Sequence, residues 1–305
     1  MILLPYRHIY ITNNASLSTS SNQLLIRQEE EYTIPLEDIS TVVIENKSVI
    51  ISASALSKIA EYGIALYTCD DKHLPNGLLT SFNSHSRQLK VLNMQLSMSK
   101  PFQKRIWQKL IRQKIANQAR CLLLCNKEGA QKIGDMVSKV ESGDRTFIES
   151  SAAQYYFRYL YGHDFVRRKD DTVNSAMNYG YALLRGRIAR SLCAFGFLPC
   201  LGLFHHDELN NFNLADDFIE PFRALIDMWV YQNVNDNGNG KGLTSEHKKG
   251  LYNIFNTCML IDGGKSSTNS TIENMVLSFV TAISNMDAEY LKLPELIPLE
   301  MNEDD

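Results

Sequence analysis

The chain has 305 residues, room for one large domain or two ordinary ones, and its 44% hydrophobic and 21% charged residues describe a folded, water-facing protein. No apolar run approaches the roughly 18 residues of a membrane span, and the opening MILLPYRHIYIT turns polar too soon to read as a signal peptide. A net charge of -3 would argue weakly against nucleic acid if it were evenly spread, but it is segregated: no Asp or Glu lies between Asp71 and Glu128, while eleven Lys and Arg do.

The first eighty residues read as short strands. ILLPYRHIYIT, QLLIRQ, EYTIPL, ISTVVIE, SVIISA and IALYTCD are rich in Ile, Val, Tyr and Thr and are separated by Asn, Ser and Glu-Asp turns. One short helix is expected over Ser54 to Glu61, stopped by Gly63, and DDKHLPNG is expected as a turn. From Pro101 the period changes: Phe102, Ile106, Leu110, Ile111, Ile115 and Ala119 fall at helical spacing as far as Leu124. Further helices are expected over residues 128–141, 147–161, 173–195, 215–231, 245–257 and 271–290, with polar glycine-rich loops at 235–242 and 262–270 and a frayed acidic end from Glu300. The fold class is therefore α+β multidomain: a β-rich N-terminal domain over 1–85, a linker over 86–100, and an all-helical domain over 101–305.

Six cysteines (Cys69, Cys121, Cys125, Cys193, Cys200, Cys258) lie in apolar surroundings without a CxxC pair, which suits buried reduced thiols of a cytoplasmic protein. Gly264-Lys265-Ser266 ends like a phosphate loop, but the glycine required five residues earlier is Met259. His205-His206 beside Asp207 and Glu208 has no zinc spacing.

The richest constellation is LGLFHHDELNNFNLADDFIEPFRALID, Leu201 to Asp227. On a helix beginning near Asn213, Asp217 and Glu220 (i, i+3) and Asp216 and Glu220 (i, i+4) share a face. Such acids are either a wet helix start favoured by the macrodipole or, if interior, a pair that needs a proton or a cation to relieve its repulsion. Glu149, in RTFIESSAAQYYFRYLY, opens an apolar helical stripe and is either an N-terminal dipole-stabilised acid or part of a partly buried site. Cations with Tyr and Phe among them suit phosphate contact and base stacking. Lys100, Lys104, Arg105, Lys109, Arg112, Arg167, Arg168 and Arg187 are candidate nucleic-acid contacts.

IESSAAQYYF, NYGYALLRGRIARSL, the Gly-x-x-His of GLFH and FNLADDFIEPFR follow one another in order. Together they resemble the universal CRISPR-associated endonuclease family of spacer acquisition, over about residues 145–290. The resemblance implies a metal-dependent DNA endonuclease and integrase in which a captured fragment's 3′-hydroxyl attacks a phosphodiester at the edge of a CRISPR repeat. It places the catalytic and metal-binding residues at Glu149, His205 and Glu220, with Asp217 and His206 as possible auxiliaries; His206 stays open as the alternative ligand. Two carboxylates and an imidazole suit Mg²⁺ or Mn²⁺. The resemblance further implies double-stranded DNA (prespacer and repeat) as substrate, with Arg223 joining the candidate DNA-binding residues, and a homodimer formed through the β-rich domain. It also implies a second small Cas protein bridging two dimers, other type II adaptation proteins, and a bacterial cytoplasmic setting. The rivals are a non-catalytic DNA-binding scaffold and a general structure-specific nuclease.

Overall fold

The computed structural model describes residues 7–70, 75–82, 88–234 and 242–302. The chain divides into two compact units, Met1–Gln88 and Leu89–Asp305.

The first unit is built on two four-stranded sheets. β1 (Arg7–Ile11), β5 (Ile39–Ile44), β7 (Ala65–Cys69) and β8 (Pro75–Leu79) form one, with β1, β5 and β7 parallel and β8 antiparallel to β7. β2 (Ser16–Ser20), β3 (Gln23–Arg27), β4 (Glu31–Pro35) and β6 (Ile50–Ile51) form the other. All six residues of β5 are buried, as a continuous Ile/Val-rich run between two parallel neighbours should be. α1 (Ala53–Glu61) starts where the Ser52 hydroxyl accepts from the Ala55 N–H at 3.1 Å. Leu17, Leu24, Leu36, Ile39, Val42, Ile59 and Ile64 form the core.

β2 and β8 were not expected. β2 (SLSTS) offers one buried apolar residue, Leu17, and is fixed by its partner: Ser21 and Asn22, both at positive φ, make the two-residue turn that folds it onto β3. β8 overlaps the end of the expected turn DDKHLPNG, of which residues 71–74 lie outside the described residues; its register with β7 makes residues 75–79 a strand. Residues 2–6 of the expected first strand also lie outside them.

The second unit is helical. α2 (Gln88–Leu96) falls inside the segment expected as a linker, because Val91 and Gln95 are buried and the Gln95 amide donates at 3.0 Å to the carbonyls of both Leu198 and Leu201. α3 (Lys100–Leu124) follows a Ser99 cap and carries the central stripe Phe102, Ile106, Trp107, Leu110, Ile111 and Ile115. α4 (Ala130–Val137), α5 (Ile148–Tyr161) and α6 (Thr172–Ala194) come next. The helix expected over 215–231 is broken into α7 (Asn213–Phe218), a 3-10 turn (Glu220–Phe222) and α8 (Arg223–Asn233). Pro221 has no N–H to continue the ladder, and α7 stops ahead of it, at Phe218. α9 (Ser245–Asn253) leads to a hairpin, β9 (Cys258–Ile261) and β10 (Gly264–Ser267), and then to α10 (Thr268–Asn285).

That hairpin corrects the expectation of an all-helical domain and of a loop at 262–270. Asp262 and Gly263, both at positive φ, form its turn. The end of the chain corrects the expected fraying as far as Asn302, since the Glu300 carbonyl accepts from Cys258 and the Asn302 N–H donates to Asn256. Of the loop expected at 235–242, residues 235–241 lie outside the described residues. Where α6 crosses α8, Gly180 is needed: a Cβ there would lie 2.6 Å from Ile226 Cγ2.

Candidate active site

Three elements of the second unit converge on one ammonium. Lys114 sits on the buried stripe of α3, only 7% exposed. Its Nζ donates to Glu149 Oε1 at 2.5 Å and lies 2.5 Å from Glu220 Oε2. The first contact is a directed hydrogen bond; the second is an ion contact, whose angle leaves the buried Glu220 Oε2 without a directed donor. Glu220 Oε1 accepts a hydrogen bond from Arg223 Nε at 2.9 Å and makes an ion contact with Nη2 at 2.9 Å.

Burial alone would push the Glu220 carboxyl up, but Arg223 and Lys114 outweigh it and hold the pKa at about 2. Burial likewise works against the Lys114 ammonium, and Glu220 and Glu149 reverse it and hold its pKa above the ordinary value.

Glu149 is placed by the start of α5. Phe147 ahead of the helix is left-handed (φ 55°) and 74% exposed, so it can cap nothing with its side chain. Asp144, itself buried, does that work: its two oxygens accept from the Ile148 N–H at 3.0 Å and the Glu149 N–H at 3.1 Å. Glu220 is placed by Asn117, one turn along α3 from Lys114. The Asn117 amide donates to the carbonyls of Pro221 (2.7 Å) and Pro294 (2.9 Å), and its oxygen accepts from Leu296 (3.1 Å).

His205 is held separately. Asp217, fully buried, accepts the backbone N–H groups of Leu203 (2.6 Å), Phe204 (3.2 Å) and His205 (3.2 Å), and lies 2.7 Å from His205 Nδ1. That hydrogen bond is the main reason the His205 pKa is raised; burial opposes it, and the charges of Asp217, Glu220 and Asp216 add to it. Gly202 lets the loop close this tightly, since a Cβ would drive into the His205 carbonyl and sit 3.1 Å from Asp217 Oδ2. Phe204 stacks flat on Trp107, ring centroids 4.2 Å apart, and fixes the other side of the loop.

The expected acidic face is therefore not a repelling pair. Asp217 turns to the His205 loop, Asp216 accepts from Asn210 at 2.7 Å, and Glu220 turns to Lys114 and Arg223. Glu149 and Glu220 meet; His205 stands apart on Asp217, and His206 is exposed. Among the described residues, no three His, Cys, Asp or Glu side chains are close enough to hold a metal together, zinc included.

Behind Glu220 runs a second polar layer. The Arg223 guanidinium lies 4.6 Å from the Tyr181 ring centroid; the Tyr181 hydroxyl donates to Asp227, and the Tyr156 hydroxyl lies 3.1 Å from its other oxygen. Burial lifts the Asp227 pKa to about 6 against those hydroxyls.

The candidate DNA-binding cations separate into two groups. Lys100, Lys104, Arg105 and Arg168 are exposed. Lys109 pairs with Glu289 at 3.2 Å, Arg112 donates to the Val140 carbonyl at 3.0 Å, and Arg167 to Asn174 and Asn178 at 2.9 Å each. Arg187 is buried inside α6, bound to Asn269 (2.6 Å) and Glu273 (2.8 Å), and Arg223 serves Glu220; neither presents its guanidinium as a surface cation. Cys200 is exposed rather than buried.

Lys114, Asp144 and Asn117 were not singled out by sequence reasoning. Lys114 left a legible trace, a Lys between Ile111 and Ile115 on a buried stripe; the other two depend on contacts distant in sequence.

Residues 9–253 match the family model of the CRISPR associated protein Cas1. The chain is 42% identical over 302 residues to the CRISPR-associated endonuclease Cas1 of Neisseria meningitidis serogroup C (strain 8013), covering 97% of this chain and 98% of that protein. Two solved structures share the fold, each at a TM-score of 0.76 and 18% identity. One is a casposase bound to integration product, covering 92% of this chain and 91% of its own. The other is a chain of a Cas6-RT-Cas1–Cas2 complex, covering 97% of this chain and 37% of its own.

Proposed function

The chain belongs to the Cas1 family of CRISPR associated proteins, and we propose that it is a divalent-metal-dependent DNA integrase of spacer acquisition, with Glu149, His205 and Glu220 as metal ligands. The observation that carries this reading is the convergence of Glu149 and Glu220, from separate elements, on a single cation.

The two carboxylates fit a divalent ion where they stand, and His205, held apart from them on Asp217, would have to approach to complete the set. Two carboxylates already share one cationic position, Glu220 Oε2 is buried without a directed donor, and the Nδ1 contact with Asp217 leaves His205 Nε2 as the free ring nitrogen. Oxygen ligands suit Mg²⁺ or Mn²⁺, and the imidazole tilts the set towards manganese. When bound, such an ion supplies charge neutralisation at the scissile phosphate and lowers the pKa of an attacking hydroxyl. The chain's own residues do the positioning. Asp217 fixes the His205 ring and its tautomer, Arg223 holds Glu220 ionised and in place, and Asp144 and Asn117 anchor the two backbone segments. The attacking group is the 3′-hydroxyl of a DNA fragment, so no protein nucleophile is required, and the exposed Lys100, Lys104, Arg105 and Arg168 would meet phosphates. Kinship with an enzyme named as an endonuclease, and a fold shared with a casposase on its integration product, support strand transfer.

The partners proposed with it are a second copy of the chain, docked through the β-rich unit, and a Cas2 protein bridging two such dimers; the fold shared with a chain of a Cas1–Cas2 complex supports the latter. A type II setting with its adaptation proteins belongs to the same proposal, as does action in the bacterial cytoplasm, where the substrate DNA lies. Among the described residues no helix is long and apolar enough to cross a membrane.

The test is strand transfer of a 3′-hydroxyl fragment into a repeat-bearing plasmid with Mg²⁺ or Mn²⁺. Glu149→Gln, Glu220→Gln and His205→Ala are each expected to lower the rate by about 10²-fold or more with fragment binding retained, and His206→Ala to leave it near wild type. Full activity in either glutamate variant would overturn the assignment. Binding without transfer in the wild type would make the protein the non-catalytic scaffold.

A further inference from the structure

We propose that Lys114 is a tethered stand-in for the metal: it occupies the cation position between Glu149 and Glu220 in the metal-free protein and leaves it when a divalent ion binds. The inference rests on the reading of those two glutamates as ligands. Its physical basis is the place of Lys114 in α3. The side chain projects from a stripe whose neighbours Leu110, Ile111 and Ile115 are fully buried, so packing alone would call for Leu or Met. An ammonium carried into such a layer is costly unless paired. Here both acids meet it at 2.5 Å, while Arg223 occupies only the other oxygen of Glu220.

Without Lys114 the two carboxylates would face each other across a half-closed site and push α5 away from the 3-10 turn. The ammonium therefore keeps the site formed before any ion arrives. It contacts Glu149 Oε1 and Glu220 Oε2, so a dication held by the same two carboxylates would compete with it, and two cations cannot share those carboxylates at contact distance. The Glu149 side chain is 26% exposed, which gives the ammonium a route towards solvent on its flexible stem. Exchange makes the apparent metal affinity weaker than the bare carboxylates would give, because each binding event must displace a paired cation.

The experiment uses the full-length protein and its Lys114→Met variant, which keeps the stem and removes the charge. Mn²⁺ binding is read from the electron paramagnetic resonance signal of the free ion, and Tm is measured in EDTA and in Mn²⁺. The expected result is a Kd for Mn²⁺ about tenfold or more lower in the variant, a lower Tm than wild type in EDTA, and a larger rise on adding Mn²⁺. A variant that folds only in Mn²⁺ also supports exchange. If the wild type binds Mn²⁺ and the variant binds it equally or less tightly, exchange is overturned while the metal site stands. If neither protein binds Mn²⁺, the metal reading fails and takes this inference with it. If Lys114→Met and Lys114→Gln both fail to fold with or without Mn²⁺, Lys114 is a structural residue and the exchange is refuted.

Discussion

Asp217 and Asp227 are both buried acids, and their surroundings give them opposite duties. Asp217 accepts three backbone N–H groups and faces a histidine, so it organises a loop. Asp217→Asn substitutes a donor for one of those acceptors and leaves buried N–H groups unpaired, at a cost of about 1–3 kcal/mol. The local readout is the His205 ring followed by NMR without metal: its titration midpoint, raised mainly by the Asp217 hydrogen bond, should fall in the variant. A midpoint that does not move would show that Asp217 is not what perturbs His205. Asp227 gives a pH dependence of the less usual sign. Its pKa rises from 3.8 to about 6 on folding, chiefly through burial, so the folded state holds the proton more tightly than the unfolded chain. Its contribution is therefore full below about pH 4 and is lost as pH rises through about 6, in total about 3 kcal/mol. Glu220 runs the other way, since its depressed pKa favours the folded state above about 4.5 and that support is lost as pH falls towards about 2. Urea unfolding between about pH 4 and 7 should show Asp227→Asn losing less stability with rising pH than the wild type. Parallel curves would remove Asp227 from the account.

At the scale of elements, the site depends on two helix ends that no local pattern announces. α5 begins on a left-handed Phe147, and Asp144 supplies the cap from three residues further back. Asp144→Ala should cost about 1–2 kcal/mol and slow strand transfer more than it weakens DNA binding, because the loosened turn carries Glu149. Equal loss of both would mean that the cap serves the fold alone. Much of this architecture was legible in the sequence. Strong strands such as ISTVVI and long helices such as α3 and α6 follow from their own periodicity. Glu149, Glu220 and the Gly-x-x-His step stood out by motif, and Gly202 and Gly180 now have steric reasons. What was not legible depends on partners. β2 is a strand because β3 folds onto it, and α2 is a helix whose Gln95 binds carbonyls a hundred residues away. The helix expected over 215–231 stops at Phe218, ahead of Pro221, and the 3-10 turn that replaces it carries Glu220 to Lys114 and Arg223 rather than to Asp217.

For the whole molecule, a net charge of -3 has to be reconciled with the proposed binding of a polyanion. Counting cations along the sequence overstates the surface available, because several of them are spent inside. Arg187 is the clearest case, with Asn269 taking its Nε, Glu273 taking its Nη2 and the whole guanidinium buried. Arg187→Ala leaves Glu273 its longer contact with Arg190 at 3.7 Å and takes the donor from Asn269, and should lower stability by about 2 kcal/mol without changing how DNA affinity responds to salt. The exposed Lys100, Lys104 and Arg105 at the start of α3 behave in the opposite way. They lie in the stretch of sequence that contains no acid, and none of the three is tied up in an interior contact. Each phosphate they neutralise releases condensed counterions, and the slope of log K against log[salt] reports the number released. Changing all three to Gln should make that slope shallower by about 2–3 for duplex DNA, while Tm stays near the wild-type value, since none of the three is buried. An unchanged slope in the triple variant would place the DNA-facing surface elsewhere, with Arg168 the next exposed cation to test.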